Sequence, residues 1–315
     1  MSKQELLLYG DTSVIDAIKA GEEGTGLFAG PGGQAGIFSS SVLKGMDQAG
    51  VLLNIKSAVG ISCGAGHLWF ALGGYINAGI ELHKYIIPEA KIFKASFNKP
   101  HILMDYSVIE EAIRLTYPVN PAVIKKTGID FRTVVTNQQT GEPRYLTLED
   151  VSDDPNLLPL SSIYVPGFGT RGNFGDDYGF QLADGSFNCD GGMSDQFPVE
   201  FMKDQMGVKK LLILFNRPLI PMSLGEKAVY YLALACFKKN YPTLGTNYFQ
   251  AFKKHITDHD THLPILRGEQ TISGIQIATL APTQKIRFNE INQNLLSKVS
   301  VQTIKETLKI MVQSN

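Results

Sequence analysis

The chain has 315 residues, of which 43% are hydrophobic and 19% charged, with a formal net charge of −1. These values suit a globular protein with a sizeable core and give no net positive charge to draw a polyanion, so no nucleic-acid partner is expected. The length admits one large domain or two small ones.

Three cysteines, Cys63, Cys189 and Cys236, form neither a disulfide framework nor a C-x-x-C metal site, which fits a reducing compartment. No run of about eighteen apolar residues suggests a membrane span. The amino-terminal residues lack the cationic start and long apolar stretch of a secretory signal. A soluble protein is expected, cytoplasmic or exported by a specialised secretion system, with any membrane contact peripheral.

In chain order, Thr12 to Ala20 reads as a short helix, with Val14, Ile15 and Ile18 on one face. Gly26 to Ala29 reads as a buried strand running into Gly30-Pro31-Gly32-Gly33-Gln34-Ala35-Gly36. A helix follows from about Ile37 to Gln48, stopped at Ala49-Gly50. The glycine-rich loop has three readings. As a dinucleotide fingerprint, Gly30, Gly32 and Ala35 fit G-x-G-x-x-A, but the next strand ends without the acid that would hold a ribose. It is otherwise an ordinary βα loop, or an oxyanion hole whose successive N–H groups meet a developing negative charge at a helix N-terminus.

The apolar run from Val51 through Ile55 to Val59 reads as the next strand. It ends at Gly60-Ile61-Ser62-Cys63-Gly64, a G-x-S-x-G turn, and an apolar helix begins near Leu68 and extends to about Ala78. Strand, tight turn and helix are the context in which this pattern marks a nucleophile. The other reading is a βα turn with Ser62 as a helix cap.

Pro88 and Pro100 punctuate a polar connection, and Asp105 to Leu115 has helical periodicity. Phe131 to Asn137 and Arg144 to Leu148 form a hairpin about Thr140-Gly141. Leu157 to Val165 is apolar. Gly167 to Gly185 mixes glycines with Phe168, Phe174, Tyr178 and Phe180, the character of a functional flap or of a twisted hairpin. A short strand ends at Asp190-Gly191-Gly192, which is a good turn in its own right. Gly207 to Phe215 is a buried strand closed by Asn216-Arg217-Pro218. Helices are expected from Gly225 to about Lys239 and from Thr246 to Ile256, a late strand from Ile272 to Leu280, and a terminal helix from Asn289 to Val312. His255 and His259 share a helical face, but no H-E-x-x-H motif accompanies them, so a solvated face is expected and no metal.

Taken together, Gly30 to Gly36, Gly60 to Gly64 and Asp190-Gly191-Gly192, in that order, resemble the motifs of the patatin-like phospholipases. Their pattern is Gly-Gly-Gly-x-Arg-Gly, then Gly-x-Ser-x-Gly, then Asp-Gly-Gly or Asp-Gly-Ala. The resemblance spans about Gly26 to Phe215. It implies a three-layer α/β/α fold with a mainly parallel central sheet, formed by one domain over residues 1–315. Its motif-bearing core would be about 24–216, with the late strand and helices of 223–315 packed on it. It also implies hydrolysis of acyl-lipid esters without a cofactor, the substrate being a phospholipid or other acyl lipid met at a membrane surface.

Carried onto this chain, the resemblance makes Ser62 the nucleophile and Asp190 its base, a dyad in place of a Ser-His-Asp triad. Gly32, Gly33 and Gln34 would supply the oxyanion donors, with Gly30, Gly36, Gly60, Gly64, Gly191 and Gly192 shaping the loops. The chain departs from the pattern at Pro31, which replaces the first glycine of the triple, and at Ala35, where the family has arginine. Ile61 and Cys63 also replace residues that are commonly Thr and Ala. The alternatives are an α/β-hydrolase with a late histidine, which would follow the order Ser, acid, His, and a lipid-binding module without catalysis. Oligomeric state is open.

Overall fold

The computed structural model describes residues 6–96, 99–165, 169–170, 179–225, 227–228, 250, 253 and 260–312. The expected helices from Gly225 to Lys239 and from Thr246 to Ile256, most of the Gly167 to Gly185 stretch, Cys236, His255 and His259 lie wholly or largely outside those residues.

The first elements are β1 (Leu6–Gly10), α1 (Ser13–Ala20), β2 (Thr25–Ala29), α2 (Ile37–Gln48), β3 (Ser57–Gly60) and α3 (Cys63–Leu72). Strands β4 (Phe93–Ser96), β5 (Lys99–Asp105), β6 (Asp130–Asn137), β7 (Pro143–Leu146) and β8 (Gly169–Thr170) follow. The last are β9 (Phe180–Gln181), β10 (Phe187–Asp190), β11 (Lys210–Leu214) and β12 (Gln276–Pro282). Among the described residues nine strands form one sheet in the order β1-β12-β11-β2-β3-β6-β10-β9, with β7 also on β6. The strands from β12 to β6 run parallel, while β1, β7, β10 and β9 pair antiparallel.

The period of two in a strand sends alternate side chains to opposite faces, and here both faces are apolar. Leu27, Ala58, Val135 and Leu212 pack on one side with residues of α1, α2, α3 and the helix Leu157–Ile163. Phe28, Val59, Val134 and Ile213 pack on the other with Val199 and Met202 of the helix Val199–Met206, and with Leu263 and Leu266. A sheet buried on both faces by helices is the α/β/α arrangement. The helix Gln293–Val312 lies against α2, where a Cβ on Gly45 would come within 2.6 Å of Thr307.

Several local expectations give way. Val51 to Ile55 is not strand. Leu52–Asn54 makes a single 3₁₀ turn, because β3 needs only Ser57 to Gly60 to match Gly26 to Ala29 of β2. The helix after Ser62 stops at Leu72, where Gly73 and Gly74 break it and Gly74 takes φ +89°. The connection around Pro100 holds β4 and β5, which with β8 make a separate three-stranded sheet. β5 runs to Asp105, so the helix that follows begins at Ser107. The terminal helix starts at Gln293 rather than Asn289. β12 lies inside the sheet, paired on one side with β11 and on the other with β1.

No helix among the described residues is long and apolar enough to cross a membrane. Nor does any group of three or more His, Cys, Asp or Glu among them make a metal site.

Candidate active site

Strand register sets the level of the two candidate catalytic residues. Gly60 of β3 pairs with Thr133 of β6, and Asp190 of β10 pairs with Val135 of β6. Ser62, two residues past Gly60, therefore reaches the height of Asp190, which arrives on an antiparallel strand from the opposite direction. Ser62 has φ +55° and ψ −130°, a conformation that costs a non-glycine residue on the order of 1–3 kcal/mol and is found mostly where function demands it. Close packing enforces the turn, since a Cβ on Gly64 would lie 2.2 Å from the Ala29 carbonyl oxygen and one on Gly60 would lie 2.5 Å from Ala65 Cα. The Ser62 N–H donates to Ser162 Oγ at 3.0 Å, and Ser162 Oγ donates to the Val134 carbonyl at 2.6 Å.

Asp190 is buried and Ser62 partly exposed. Burial pushes the Asp190 carboxyl up to about 7, against the nearby Ser62 hydroxyl and the Gly192 N–H, which pull it down. The Gly192 bond is 2.8 Å long. Gly191 passes directly over Val134, where a Cβ would lie 2.2 Å from the carbonyl oxygen. Thr136 Oγ1 donates to the Asp190 carbonyl at 2.8 Å and fixes its backbone.

The glycine-rich loop stands beside this pair. Gly30 donates to Leu214 at 3.0 Å and its carbonyl accepts from Asn216 Nδ2 at 2.8 Å, while Asn216 Oδ1 accepts from the Ser39 N–H at 3.0 Å. A Cβ on Gly32 would meet the Asn216 side chain at 2.6 Å. Gly33 has φ +54°, its N–H faces the Cys63 sulfur, and the Phe288 ring covers its Cα. Burial, with the Asp190 charge adding, pushes the Cys63 thiol up to about 12, so it is no thiolate at neutral pH.

The Gln34 N–H donates to the Phe288 carbonyl at 3.1 Å. It has to leave that partner before it can serve an oxyanion. Ala35, at the place of the family's arginine, is buried with Phe38, Leu296 and Val299, a setting that would leave a guanidinium unpaired. Asn216 and Gln34 hold the loop instead. Gly36 closes it against Cys63, His67 and His83, all within 3.0 Å of where a Cβ would be.

A narrow cavity of about 50 Å³ opens beside Ser62, with walls that include Phe70, Leu82, Ile87, Met104, Ile113 and Ile163.

The sequence alone gives no signal for Ser162, Ser39 or Phe288, nor for the contact between His67 and His83. Asn216 drew notice only as part of the stretch closing β11, and a polar residue just past a buried strand was the one available signal.

Comparison with known proteins gives little more. No family model matches the chain, and no curated protein matches it. Among solved structures, the crystal structure of VipD from Legionella pneumophila aligns with a TM-score of 0.46 at 12% identity, over 91% of this chain and 66% of that one. The chain thus spans slightly less than two thirds of VipD's length.

Proposed function

We propose that the protein is a serine hydrolase of acyl-lipid esters, of phospholipase A or lysophospholipase type. The reading is carried by one observation: a serine held at positive φ on a strand-to-helix turn, beside a buried aspartate whose pKa is raised to about 7 and on whose carboxyl the Ser62 hydroxyl acts. A free serine is a poor nucleophile and needs a base in hydrogen-bonding reach. A carboxylate with a pKa near 7 is matched to that task at neutral pH.

In this mechanism Ser62 Oγ attacks the ester carbonyl carbon while its proton passes to Asp190. The C=O π bond opens and the negative charge gathers on the former carbonyl oxygen. The N–H groups of Gly32 and Gly33, the latter turning from the Cys63 sulfur, joined by that of Gln34 when the Phe288 carbonyl releases it, meet that oxygen, each well-placed donor contributing about 3–4 kcal/mol. Collapse breaks the bond to the leaving alcohol, which takes the proton from Asp190 and leaves an acyl-Ser62 ester. Water then attacks that ester by the same proton path, releasing the fatty acid and restoring Ser62 and Asp190.

The walls beside Ser62 are apolar, the character an acyl chain requires, and the cavity of about 50 Å³ has to widen to take one; the motif order resembles that of the patatin-like phospholipases. Substrate would be taken from a membrane surface by peripheral contact. Titration with a fluorophosphonate tests the reading: one equivalent of label on Ser62 is expected, and a folded protein that takes none is instead a binding module.

A further inference from the structure

Behind the glycine-rich loop runs a buried chain of polar groups that the dyad does not use. Ser39 Oγ lies 2.9 Å from His67 Nδ1, His67 Nε2 lies 2.8 Å from His83 Nε2, and His83 Nδ1 lies 2.5 Å from Gln34 Oε1. Ser39 Oγ also lies 3.1 Å from the Gly36 carbonyl, which has a second donor in Ser40 Oγ at 3.2 Å. Gln34 Nε2 donates to the Glu290 carbonyl at 2.7 Å and to the His83 carbonyl at 3.3 Å.

Counting protons fixes the direction of this chain. The four contacts from the Gly36 carbonyl to Gln34 Oε1 need four hydrogens, and Ser39 with two neutral imidazoles brings three. Burial keeps both rings neutral, pushing His83 down to about 3 and holding His67 well below the usual histidine range, with His83 adding to the effect on His67. Gln34 cannot turn over, because its Oε1 would then face two carbonyl oxygens. Oε1 must therefore accept, and His83 Nδ1–H must donate. His83 Nε2 then accepts from His67 Nε2–H, and His67 Nδ1 accepts from the Ser39 hydroxyl. The contact left without a proton is Ser39 to Gly36, the longest of the four, whose carbonyl is also within reach of the Ser40 hydroxyl that lies equally close to the Ile37 carbonyl.

We propose that His83 and His67 are positioning residues, which through a one-way hydrogen-bond chain from Ser39 to Gln34 set the Gly32–Gly33 loop beside Ser62 in its oxyanion-binding geometry. The chain does for this loop what the arginine does not, since Ala35 stands in its place. Gln34 is the point of transfer: its side chain takes the chain's last hydrogen, and its backbone continues directly from Gly33. All four imidazole nitrogens are engaged with these partners, so neither ring is a base for Ser62. The role rests on the hydrolase reading of the site.

Two measurements on the intact protein test it. Imidazole ¹⁵N spectra at pH 7, assigned by loss of signal in His67 and His83 variants, should show His83 as the Nδ1–H tautomer and His67 as the Nε2–H tautomer, both neutral. The reverse pair, or an imidazolium at either ring, overturns the chain. The second is the rate of fluorophosphonate labelling and the hydrolysis of p-nitrophenyl butyrate in His83→Phe. Labelling and kcat should fall by about 10²-fold with KM changed less than threefold, because the loop acts on the transition state. Gln34→Met, nearly isosteric and retaining its backbone N–H, carries the same test if His83→Phe does not fold. Wild-type rates in the folded variants overturn the positioning role alone. A wild-type protein that takes no label overturns the hydrolase reading and the role with it, whatever the tautomers.

Discussion

Ser162 holds Ser62 at the tip of its turn, accepting the Ser62 N–H at 3.0 Å and passing its own hydrogen to the Val134 carbonyl at 2.6 Å. The link ties the strained residue to β6, the strand that lies between β3 and β10. Ser162→Ala strips a partner from both backbone groups, and an unsatisfied buried group costs about 1–3 kcal/mol. Denaturant unfolding of Ser162→Ala should show a loss in that range. Fluorophosphonate labelling of the folded fraction should also slow, since the backbone at φ +55° is no longer pinned. Wild-type stability and labelling would mean that the turn is held by glycine packing alone.

Asp190 predicts a pH dependence of both activity and stability. Its carboxyl titrates near 7 in the native protein against 3.8 for an ordinary aspartate, so the native state holds that proton more tightly than the unfolded chain. The resulting contribution favours folding fully below about pH 4 and is lost as pH rises through about 7. Asp190→Asn keeps the acceptor for the Gly192 N–H and removes the buried charge. Its unfolding free energy, from denaturant titration, should exceed that of wild type at pH 8 by an amount on the order of a few kcal/mol, and the gap should close by pH 4. The activity of Asp190→Asn should fall at least 10²-fold. A variant that is less stable at pH 8 would place the ionised carboxylate in a better-solvated setting.

Gly33 combines φ +54° with the Phe288 ring over its Cα, where a Cβ would lie 2.3 Å from Cδ2. Phe288 is half exposed and has room to move, so Gly33→Ala should fold. The loop, however, must leave its left-handed conformation, and kcat should drop about 10²-fold or more with little change in KM. Adding Phe288→Ala removes the collision and leaves the backbone conflict. The double variant should therefore stay slow, as steady-state kinetics on a soluble ester will show. Full recovery would make the ring, rather than the backbone, the reason for glycine at this position.

The layer architecture was legible because β2, β3, β6 and β11 carry short apolar runs between glycine-marked turns, and those runs are what a doubly covered parallel sheet requires. β1 was not legible: Leu6 to Tyr9 says nothing about pairing until β12, far along the chain, lies beside it. The same holds for β4 and β5, where Lys94, Lys99 and Pro100 obscure the strand pattern. Ser62 and Asp190 stood out because each sits in a short motif with local geometry of its own. Ser162, Asn216, Ser39 and Phe288 lie in unremarkable sequence. Their part arises only from tertiary contacts such as Asn216 on Gly30 and Phe288 on Gly33, and no local pattern encodes those.

The dyad is tested most sharply by the histidines. Six are present, at 67, 83, 101, 255, 259 and 262, and a triad enzyme depends on one of them as base. The ring nitrogens of His67 and His83 are engaged with Ser39, Gln34 and each other. His262 stacks on Phe197 with ring centroids 4.5 Å apart, while His255 and His259 lie outside the described residues. Changing His101, His255, His259 or His262 to Gln should leave kcat within about tenfold of wild type, because loss of a true general base costs about 10²–10⁴. His67 and His83 variants should be slow through the oxyanion loop, yet they should keep the acid limb of the pH profile near 7, because that limb belongs to Asp190. Asp190→Asn alone should lose the limb together with the rate. A folded variant in which one histidine substitution removes the acid limb would end the dyad assignment and make that histidine the base of a triad.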